Sequence, residues 1–528
     1  MKSPLWSKIR AYVQLLFWFI FVFLLIYSRD PVDNTFLYNL FSKLSFHLSL
    51  STSLSSLKFA ESFFYSSVII FLTIFLGRFF CGWICPLGIT IDASDKKLIK
   101  NKSSVFSIQK KIIKIKHYKY GILLISLILS LAGFQAAGII DPLSLVYRSY
   151  TVSLYAYFDR LIRILFDVLY YIPGINYLSE PVYDILKDKV LDFNLVEFEN
   201  HIPVFLLFLI IILLSYLARR FWCQSLCPLG AIFSLVSRFS FFQRHVDAAL
   251  CNSCLKCQNS CRMNAIYDGG QKTYESECIK CFECLKSCPS KAASFKFNVP
   301  FANKEKPIEN KQINTPQIFT SRKSLMKSFF AALLLLPFFN INTNRRTNFT
   351  YIIRPPGAKR EDEFIKECIR CAQCIKICPT NALHPIFLEA GLTAMFTPRL
   401  VPRLGYCEKN CNLCSKICPT DALFKIKKSD KDKTIIGTAY FVKDRCIPYS
   451  EGINCMVCEE MCPTSDKAIK FKDEIVLNKQ GKKVQVKIPY VIENLCIGCG
   501  ICENKCPVTG DAAIQVTTPK SAEGINRF

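Results

Sequence analysis

Cys278-Ile279-Lys280-Cys281-Phe282-Glu283-Cys284-Leu285-Lys286-Ser287-Cys288-Pro289 is the stretch from which the rest of the chain can be read. Its spacing, C-x2-C-x2-C-x3-C-P, is that of a bacterial [4Fe-4S] binding run. Three thiolates two residues apart let one short loop wrap three corners of a cube, with backbone N–H groups aimed at the sulfurs. The fourth cysteine ordinarily ligates a neighbouring cluster. The pattern returns at Cys368, Cys371, Cys374 and Cys378 and at Cys496, Cys499, Cys502 and Cys506, each followed by proline. Cys251, Cys254, Cys257 and Cys261 keep the spacing with Arg262 in place of proline. Two quartets are looser: Cys407, Cys411, Cys414 and Cys418 open with three intervening residues, and Cys446, Cys455, Cys458 and Cys462 with eight. Repeated words, Cys-Ile-x-Cys at 278, 368 and 496 and Pro-Thr-x-Ala-Leu at 379 and 419, give the units a common origin. Zinc ribbons need no third cysteine at this spacing, and neither zinc nor a disulfide framework accounts for the pattern.

The 28 cysteines divide into six such quartets and two further pairs, with none left over. Six quartets predict six [4Fe-4S] clusters, the first two forming one dicluster unit by exchanging Cys261 and Cys288. The remaining pairs lie in Arg78-Phe79-Phe80-Cys81-Gly82-Trp83-Ile84-Cys85-Pro86-Leu87-Gly88 and its echo Arg220-Phe221-Trp222-Cys223-Gln224-Ser225-Leu226-Cys227-Pro228-Leu229-Gly230. Cysteines at i and i+4 share a helical face. The tandem copies would face one another across a pseudo-two-fold axis along the membrane normal. Cys81, Cys85, Cys223 and Cys227 are therefore expected to converge near the cytoplasmic surface as a redox station: a further metal or cluster, or a dithiol relay. The plainer alternative is that they are small packing residues.

Apolar stretches at Ala11 to Tyr27, Ser62 to Phe79, Tyr120 to Ile140 and Ile202 to Leu217 approach the ~20 residues of a membrane span, so four helices are expected. The loop after the second carries Lys96, Lys97, Lys100, Lys102, Lys110, Lys111, Lys114, Lys116 and Lys119 against Asp92 and Asp95, and should be cytoplasmic. The next carries Asp141, Asp159, Asp167, Glu180, Asp184, Asp188, Asp192, Glu197 and Glu199 against five basic residues, and should lie outside. Much of the net charge of +26 is thus topological signal, and no basic-aromatic nucleic-acid module exists. Ser321-Arg322-Lys323-Ser324-Leu325-Met326-Lys327 then precedes an apolar run, Phe329 to Phe339. That segment resembles a twin-arginine export signal with lysine as its second basic residue; an interfacial or core helix is the alternative.

The expected architecture is an α-helical membrane bundle, four helices plus one signal-anchor-like segment, with α+β ferredoxin-like dicluster and four-cluster domains. Residues 1–245 would be the membrane module, 246–300 a cytoplasmic two-cluster domain, 301–345 a linker with the signal-like segment, and 346–528 a four-cluster domain in the periplasm. A length of 528 residues rules out one compact domain. Hydrophobic residues at 51% beside charged residues at 20% rule out a disordered chain. No Cys-x-x-Cys-His haem motif, dinucleotide fingerprint or P-loop is present, and five histidines leave little for haem.

Residues 1–290 resemble the NapH/MauN-type polytopic membrane ferredoxins. Residues 320–528 resemble the NapG/MauM-type exported ferredoxins, including Arg354-Pro355-Pro356-Gly357-Ala358 ahead of Glu367-Cys368-Ile369-Arg370-Cys371. The chain thus looks like a fusion of the two. The resemblance implies an inner-membrane protein that passes electrons from the quinone pool to a periplasmic reductase, with quinol as substrate. Alternatives are an accessory role in maturing a periplasmic enzyme, or a conduit fed by a cytoplasmic ferredoxin. The last four quartets also resemble four-cluster subunits of molybdenum reductases. That resemblance implies the first pairing with the last, Cys368–Cys378 with Cys496–Cys506, and the middle two with each other. Asp141, Tyr147 and Arg148, near an outer helix end, are candidates for a quinol site or for ordinary interfacial anchors.

Overall fold

The computed structural model describes residues 5–27, 35–98, 116–172, 176–191, 197–298, 322–344, 352–477 and 481–518. The chain forms two compact units. One comprises Met1–Leu24, Leu40–Val146 and Leu206–Phe338; the other comprises Leu25–Asn39, Tyr147–Phe205 and Phe339–Phe528.

Apolar helices dominate the first unit. Among the described residues one helix, Leu5–Tyr27, is long and apolar enough to cross a membrane; Ser62–Leu76, Tyr118–Leu131, His201–Tyr216, Pro228–Ser237 and Ser324–Pro337 are shorter apolar helices. Two of the expected spans are cut short for local reasons. Ser62–Leu76 stops at Gly77, whose φ of 73° is left-handed and whose N–H closes on the Thr73 carbonyl. A Cβ there would lie 2.6 Å from the Lys280 side chain, so glycine also admits that close approach. Tyr118–Leu131 ends as the Ala132 N–H bonds to the Ile128 carbonyl. The signal-like segment is a 23-residue helix, Arg322–Asn344, with Pro337 inside. It packs within the first unit: a Cβ on Gly121 would lie 2.5 Å from Ser328 Oγ. Such small-on-small contact lets two helix backbones approach closely.

The two-cluster segment of this unit is framed by strands that bracket it in sequence. Phe242–Val246, before Cys251, pairs antiparallel with Ala293–Phe297, after Cys288. Phe295 stacks on Phe242 at 5.5 Å and takes Phe282 edge-on at 4.8 Å. Buried ion pairs tie this segment to the helices. Glu277 takes Arg78 at 2.8 Å and Lys119 at 2.5 Å, all three fully buried. Asp92 takes Arg10 at 2.5 Å, Arg220 at 2.6 Å and Arg262 at 2.9 Å.

The second unit repeats the bracketing logic. Thr438–Phe441, before Cys446, pairs antiparallel with Ile514–Thr517, after Cys506. Ala358, before Cys368, bridges Leu423, after Cys418. The Arg354-Pro355-Pro356-Gly357-Ala358 lead-in has a mechanical role here. Arg354 is buried and bonds Glu361, Thr397 Oγ1 and the Pro398 carbonyl at 2.5, 2.9 and 2.7 Å. Gly357 has φ 80°, and a Cβ on it would meet the Phe424 carbonyl at 2.6 Å. A long hairpin, Ile469–Leu477 with Lys483–Val491, extends from the last two motifs.

The acidic segment after Tyr147 belongs to this unit. It contributes the helices Tyr155–Tyr170 and Asn176–Lys189, which composition and charge alone did not reveal. Arg148 stacks on Phe396 at 3.9 Å and donates to the Arg370 carbonyl at 3.2 Å. Lys376 lies over the Tyr155 ring at 3.4 Å. His384 Nδ1 accepts the Glu199 N–H at 3.0 Å while its Nε2 faces the Asn381 carbonyl at 2.9 Å, and Arg399 pairs with Glu199 at 2.6 Å.

Candidate iron–sulfur sites

Four-cysteine cages recur through the fold, and each is built from two motifs. Cys261, Cys278, Cys281 and Cys284 line one small cavity. Cys462 joins Cys496, Cys499 and Cys502 around a second, and Cys506 joins Cys446, Cys455 and Cys458 around a third. Cys418 neighbours Cys368, Cys371 and Cys374, and Cys378 neighbours Cys407, Cys411 and Cys414. Cys257 neighbours Cys251 and Cys288, with Cys254 exposed in the same loop. Among the described residues no three Cys, His, Asp or Glu side chains converge tightly enough for one metal ion.

The pairing corrects the expectation carried over from the molybdenum-reductase subunits. Neighbours in sequence pair, 368–378 with 407–418 and 446–462 with 496–506, rather than first with last. The cause is the bracketing above: a strand or bridge before one motif closes on a strand or bridge after the next, so each pair is complete in itself.

Local backbone explains why the cages form. In each regular motif the residues flanking the second cysteine have positive φ: Ser253 and Leu255, Lys280 and Phe282, Arg370 and Ala372, Gly498 and Gly500. Such left-handed residues turn successive N–H groups inward to make an anion-binding concavity. For non-glycine residues this conformation costs roughly 1–3 kcal/mol and persists only where the surroundings over-determine it. Donors then reach the sulfurs. Ala265 N–H bonds Cys261 Sγ at 3.3 Å, Ala513 N–H bonds Cys506 Sγ at 3.4 Å, and Lys431 Nζ bonds Cys407 Sγ at 3.0 Å. Hydroxyls of Ser290, Thr380, Thr420 and Thr464 lie 3.6, 3.6, 3.9 and 3.3 Å from Cys288, Cys378, Cys418 and Cys462. Sequence reading missed these four, though Cys-Pro-Ser/Thr is written plainly at each. Burial pushes the Cys278, Cys458 and Cys499 thiols up to about 12, so ligation must displace their protons.

Within the second unit the cages form a series. Cys407 N–H bonds the Cys499 carbonyl at 2.8 Å and Ile436 N–H the Ile497 carbonyl at 3.0 Å, joining the second pair of motifs to the first. Arg370 and Gln373, at the first cage, meet Arg148 and the Tyr38 carbonyl. At the far end Ile453 and Met461 are exposed beside Cys455 and Cys462.

Cys81, Cys85, Cys223 and Cys227 line one small cavity, walled also by Arg78, Pro142 and Trp222. They do not share a continuous helical face. Helices Phe79–Trp83 and Phe221–Ser225 end before Cys85 and Cys227, because Pro86 and Pro228 each open a new helix. The copies match closely: Cys85 N–H bonds the Phe80 carbonyl and Cys227 N–H the Trp222 carbonyl, both at 3.0 Å. Cys227 Sγ caps its helix by accepting the Gly230 N–H at 3.2 Å.

The quinol candidates are all buried. Asp141 bonds Ser45 Oγ at 2.8 Å and His47 Nδ1 at 3.3 Å, and His47 Nε2 meets Ser126 Oγ at 2.9 Å. Tyr147 donates to the Tyr38 carbonyl at 3.0 Å. Tyr147 and Arg148 are packing residues of the second unit rather than surface anchors. His47 carried no sequence signal.

Known proteins resemble parts of this chain. Models described as "4Fe-4S binding domain" match residues 62–105 with 200–247, 365–381 and 278–292, and a "4Fe-4S dicluster domain" matches 453–510. An uncharacterized protein of Methanocaldococcus jannaschii, MJ0750, is 28% identical over 233 residues, 44% of this chain and 76% of its own length. Ferredoxin-type protein NapH of Haemophilus influenzae is 22% identical over 248 residues, 44% of this chain and 67% of its own. Ferredoxin-type protein NapG of Escherichia coli is 45% identical over 56 residues, 11% of this chain and 24% of its own. No solved structure matches. With its repeated four-cysteine cages and these relatives, the chain is an iron–sulfur electron-transfer protein related to the NapH- and NapG-type ferredoxins.

Proposed function

We propose that the chain is a multi-pass membrane conduit that carries electrons from quinol, through six clusters, to a redox enzyme outside the cytoplasmic membrane. One observation carries this reading. The acidic loop whose charge assigns it to the outside folds against the Cys368–Cys378 cage, in one unit with all four later quartets. The other unit joins the two-cluster segment to residues at the ends of the basic loop, Asp92 and Lys119. Apolar side chains left uncovered, such as Phe19, Phe23, Phe64, Phe71, Ile202 and Ile210, are what lipid would cover.

When bound, [4Fe-4S] clusters supply one-electron centres whose potentials respond to hydrogen bonding and exposure. The chain's own residues divide the remaining work. Cage cysteines bind, the Ser290, Thr380, Thr420 and Thr464 hydroxyls and nearby amides set sulfur basicity, and Ile279, Ile369 and Ile497 exclude water beside them. Quinol oxidation releases two protons with two electrons, so a proton path must accompany the cluster chain. The exposed face around Ile453 and Met461 is the exit toward the acceptor enzyme.

The test is the visible absorbance of the anaerobically purified, oxidised protein in liposomes when a reduced menaquinone analogue is added. Rapid bleaching of several clusters is expected. Clusters that dithionite or a soluble ferredoxin reduces and quinol does not would overturn quinol as donor. A reporter active only outside the inner membrane, fused after residue 528, should be active.

A further inference from the structure

We propose that Lys431 is a potential-setting residue: its buried ammonium group raises the reduction potential of the cluster held by Cys378, Cys407, Cys411 and Cys414 above those of the other cages, so that an electron rests where the two pairs of motifs meet. The inference rests on the iron–sulfur reading above and names what sets one cluster apart from the rest.

Burial is the first argument. The short helix Lys428–Lys433 reads Lys-Ser-Asp-Lys-Asp-Lys, and Lys428, Ser429, Asp430, Asp432 and Lys433 are all exposed. Lys431 alone turns inward and is 3% exposed. Lysine is almost never buried to this extent unless something pairs with it. Among the described residues no carboxylate does; the adjacent Asp432 takes Lys409 instead, at 3.4 Å. Lys431 Nζ donates to Cys407 Sγ at 3.0 Å, and its charge reaches Cys411 and Cys414 of the same motif. An ammonium group taken out of water is costly unless an anion faces it, and a thiolate-held cluster is such an anion.

Contrast is the second. At other cages the sulfurs receive neutral donors. The Ala265, Ala439 and Ala513 N–H groups bond Cys261, Cys496 and Cys506 at 3.3, 3.4 and 3.4 Å, and Cys288, Cys418 and Cys462 have the Ser290, Thr420 and Thr464 hydroxyls. Cations near those cages are engaged elsewhere. Lys280 pairs with Glu275, Arg370 donates to the Met395 and Thr393 carbonyls, and Arg244 donates to the Gly270 carbonyl and Thr273 Oγ1. A hydrogen bond from an ionised donor is roughly twice as strong as a neutral one. Reduction adds one negative charge to the cluster, so a fixed positive charge on its ligand favours the reduced form. The electron comes from a neighbouring cluster, which is oxidised by one electron; the lysine keeps its proton.

Position is the third. The segment that carries Lys431 is pinned at both ends. Before it, Asn412 Nδ2 donates to the Ile426 carbonyl at 2.7 Å and Ile426 N–H bonds Ser415 Oγ at 3.3 Å, which fixes the segment to the Cys407–Cys418 motif. After it, Ile436 N–H bonds the Ile497 carbonyl, beside Cys496, at 3.0 Å. Cys407 N–H itself bonds the Cys499 carbonyl at 2.8 Å. The lysine is thus held in place at the junction between the 368–418 and 446–506 pairs.

The experiment is a redox titration, followed by electron paramagnetic resonance, of the full chain purified anaerobically in detergent, for wild type, Lys431→Arg, Lys431→Gln and Lys431→Met, with iron and acid-labile sulfide counted in each. In Lys431→Met one component should lose about tenfold in its reduced-to-oxidised ratio at the wild-type midpoint, a downward shift of about 59 mV for a one-electron couple. Lys431→Gln, which keeps an N–H donor without the charge, should move the same component down by less, and Lys431→Arg should leave it near wild type. The component that moves should have the highest midpoint in wild type. Unchanged midpoints with unchanged iron overturn the proposal, as does a shift in Lys431→Met that Lys431→Gln abolishes, which would assign the effect to the hydrogen bond alone. Loss of about four irons in both neutral variants makes the lysine a structural prop and also overturns it. A component that moves without being the highest overturns the resting place of the electron. Wild-type protein without iron or reducible clusters overturns the iron–sulfur reading itself.

Discussion

The two units fasten cluster-bearing segments to their helices differently: the first by buried ion pairs, the second by cation–ring contacts and backbone hydrogen bonds with one partly exposed ion pair, Arg399–Glu199. In the first, Glu277 and Asp92 are buried carboxylates gripped by Arg78 and Lys119 and by Arg10, Arg220 and Arg262. In the second, Arg148 and Lys376 lie on the rings of Phe396 and Tyr155, and Arg148 and Arg370 donate to backbone carbonyls. A buried ion pair is strong evidence of coupling and weak evidence of net stability, since desolvation offsets most of the attraction. The first joint should fail all at once when a partner is removed; the second should loosen by degrees.

Glu277→Gln is the largest break. Leaving Arg78 and Lys119 buried without their carboxylate should cost about 3–5 kcal/mol. Hydrogen exchange should then open residues 242–297 while the last four quartets stay protected; equal opening of both units would erase the contrast. Arg148→Met, which keeps the bulk over Phe396 and drops the charge and hydrogen bond, should cost about 1–2 kcal/mol. Its signature is faster exchange near Arg370 and Gln373 with iron content unchanged.

Acid should separate the joints as well. Burial holds the His384 imidazole down at about 4, and its neutral Nδ1 accepts from Glu199. A lowered histidine contributes stability that is present above the unfolded value near 6.5 and is lost as pH falls toward 4. Burial alone would raise Glu277, yet Lys119, Arg78 and Lys116 outweigh it and hold the carboxyl at about 2. Its contribution is present above about 4.5 and is lost only as pH falls toward 2. Moving from pH 7 to 5.5 should therefore weaken the second joint by about 1 kcal/mol and leave the first unchanged. Amide exchange of residues 197–201 against 274–280 reads both. The smallest effect is electrochemical: Thr464→Val removes the hydroxyl 3.3 Å from Cys462 Sγ and should lower that cluster's potential, seen in a redox titration.

Cysteine spacing made the grouping into quartets legible, because three cysteines at x2 intervals fit one loop geometry. The convergence of Cys81, Cys85, Cys223 and Cys227 was legible from the tandem copies, though Pro86 and Pro228 break the helical face that spacing suggested. Among the last four quartets the partner of each was not, since strands as short as Thr438–Phe441 and a single bridge at Ala358 decide it and carry no periodic signal. Nor were Glu277 and Asp92 visible as anchors. A carboxylate's role there comes from cations up to 199 residues distant in sequence. Helix ends at Gly77 and Leu131 were lost in hydropathy, which runs on past the turn.

Pairing between sequence neighbours also sets a schedule. The strand Phe242–Val246 must wait for Ala293–Phe297 to leave the ribosome, and Thr438–Phe441 for Ile514–Thr517. Until then each half-cage is an open loop holding left-handed residues without the sulfur that completes it. Cluster loading is therefore expected to advance in three instalments during synthesis, each closing before the next begins, so that a chain stalled between two pairs would carry whole pairs and no scattered single clusters.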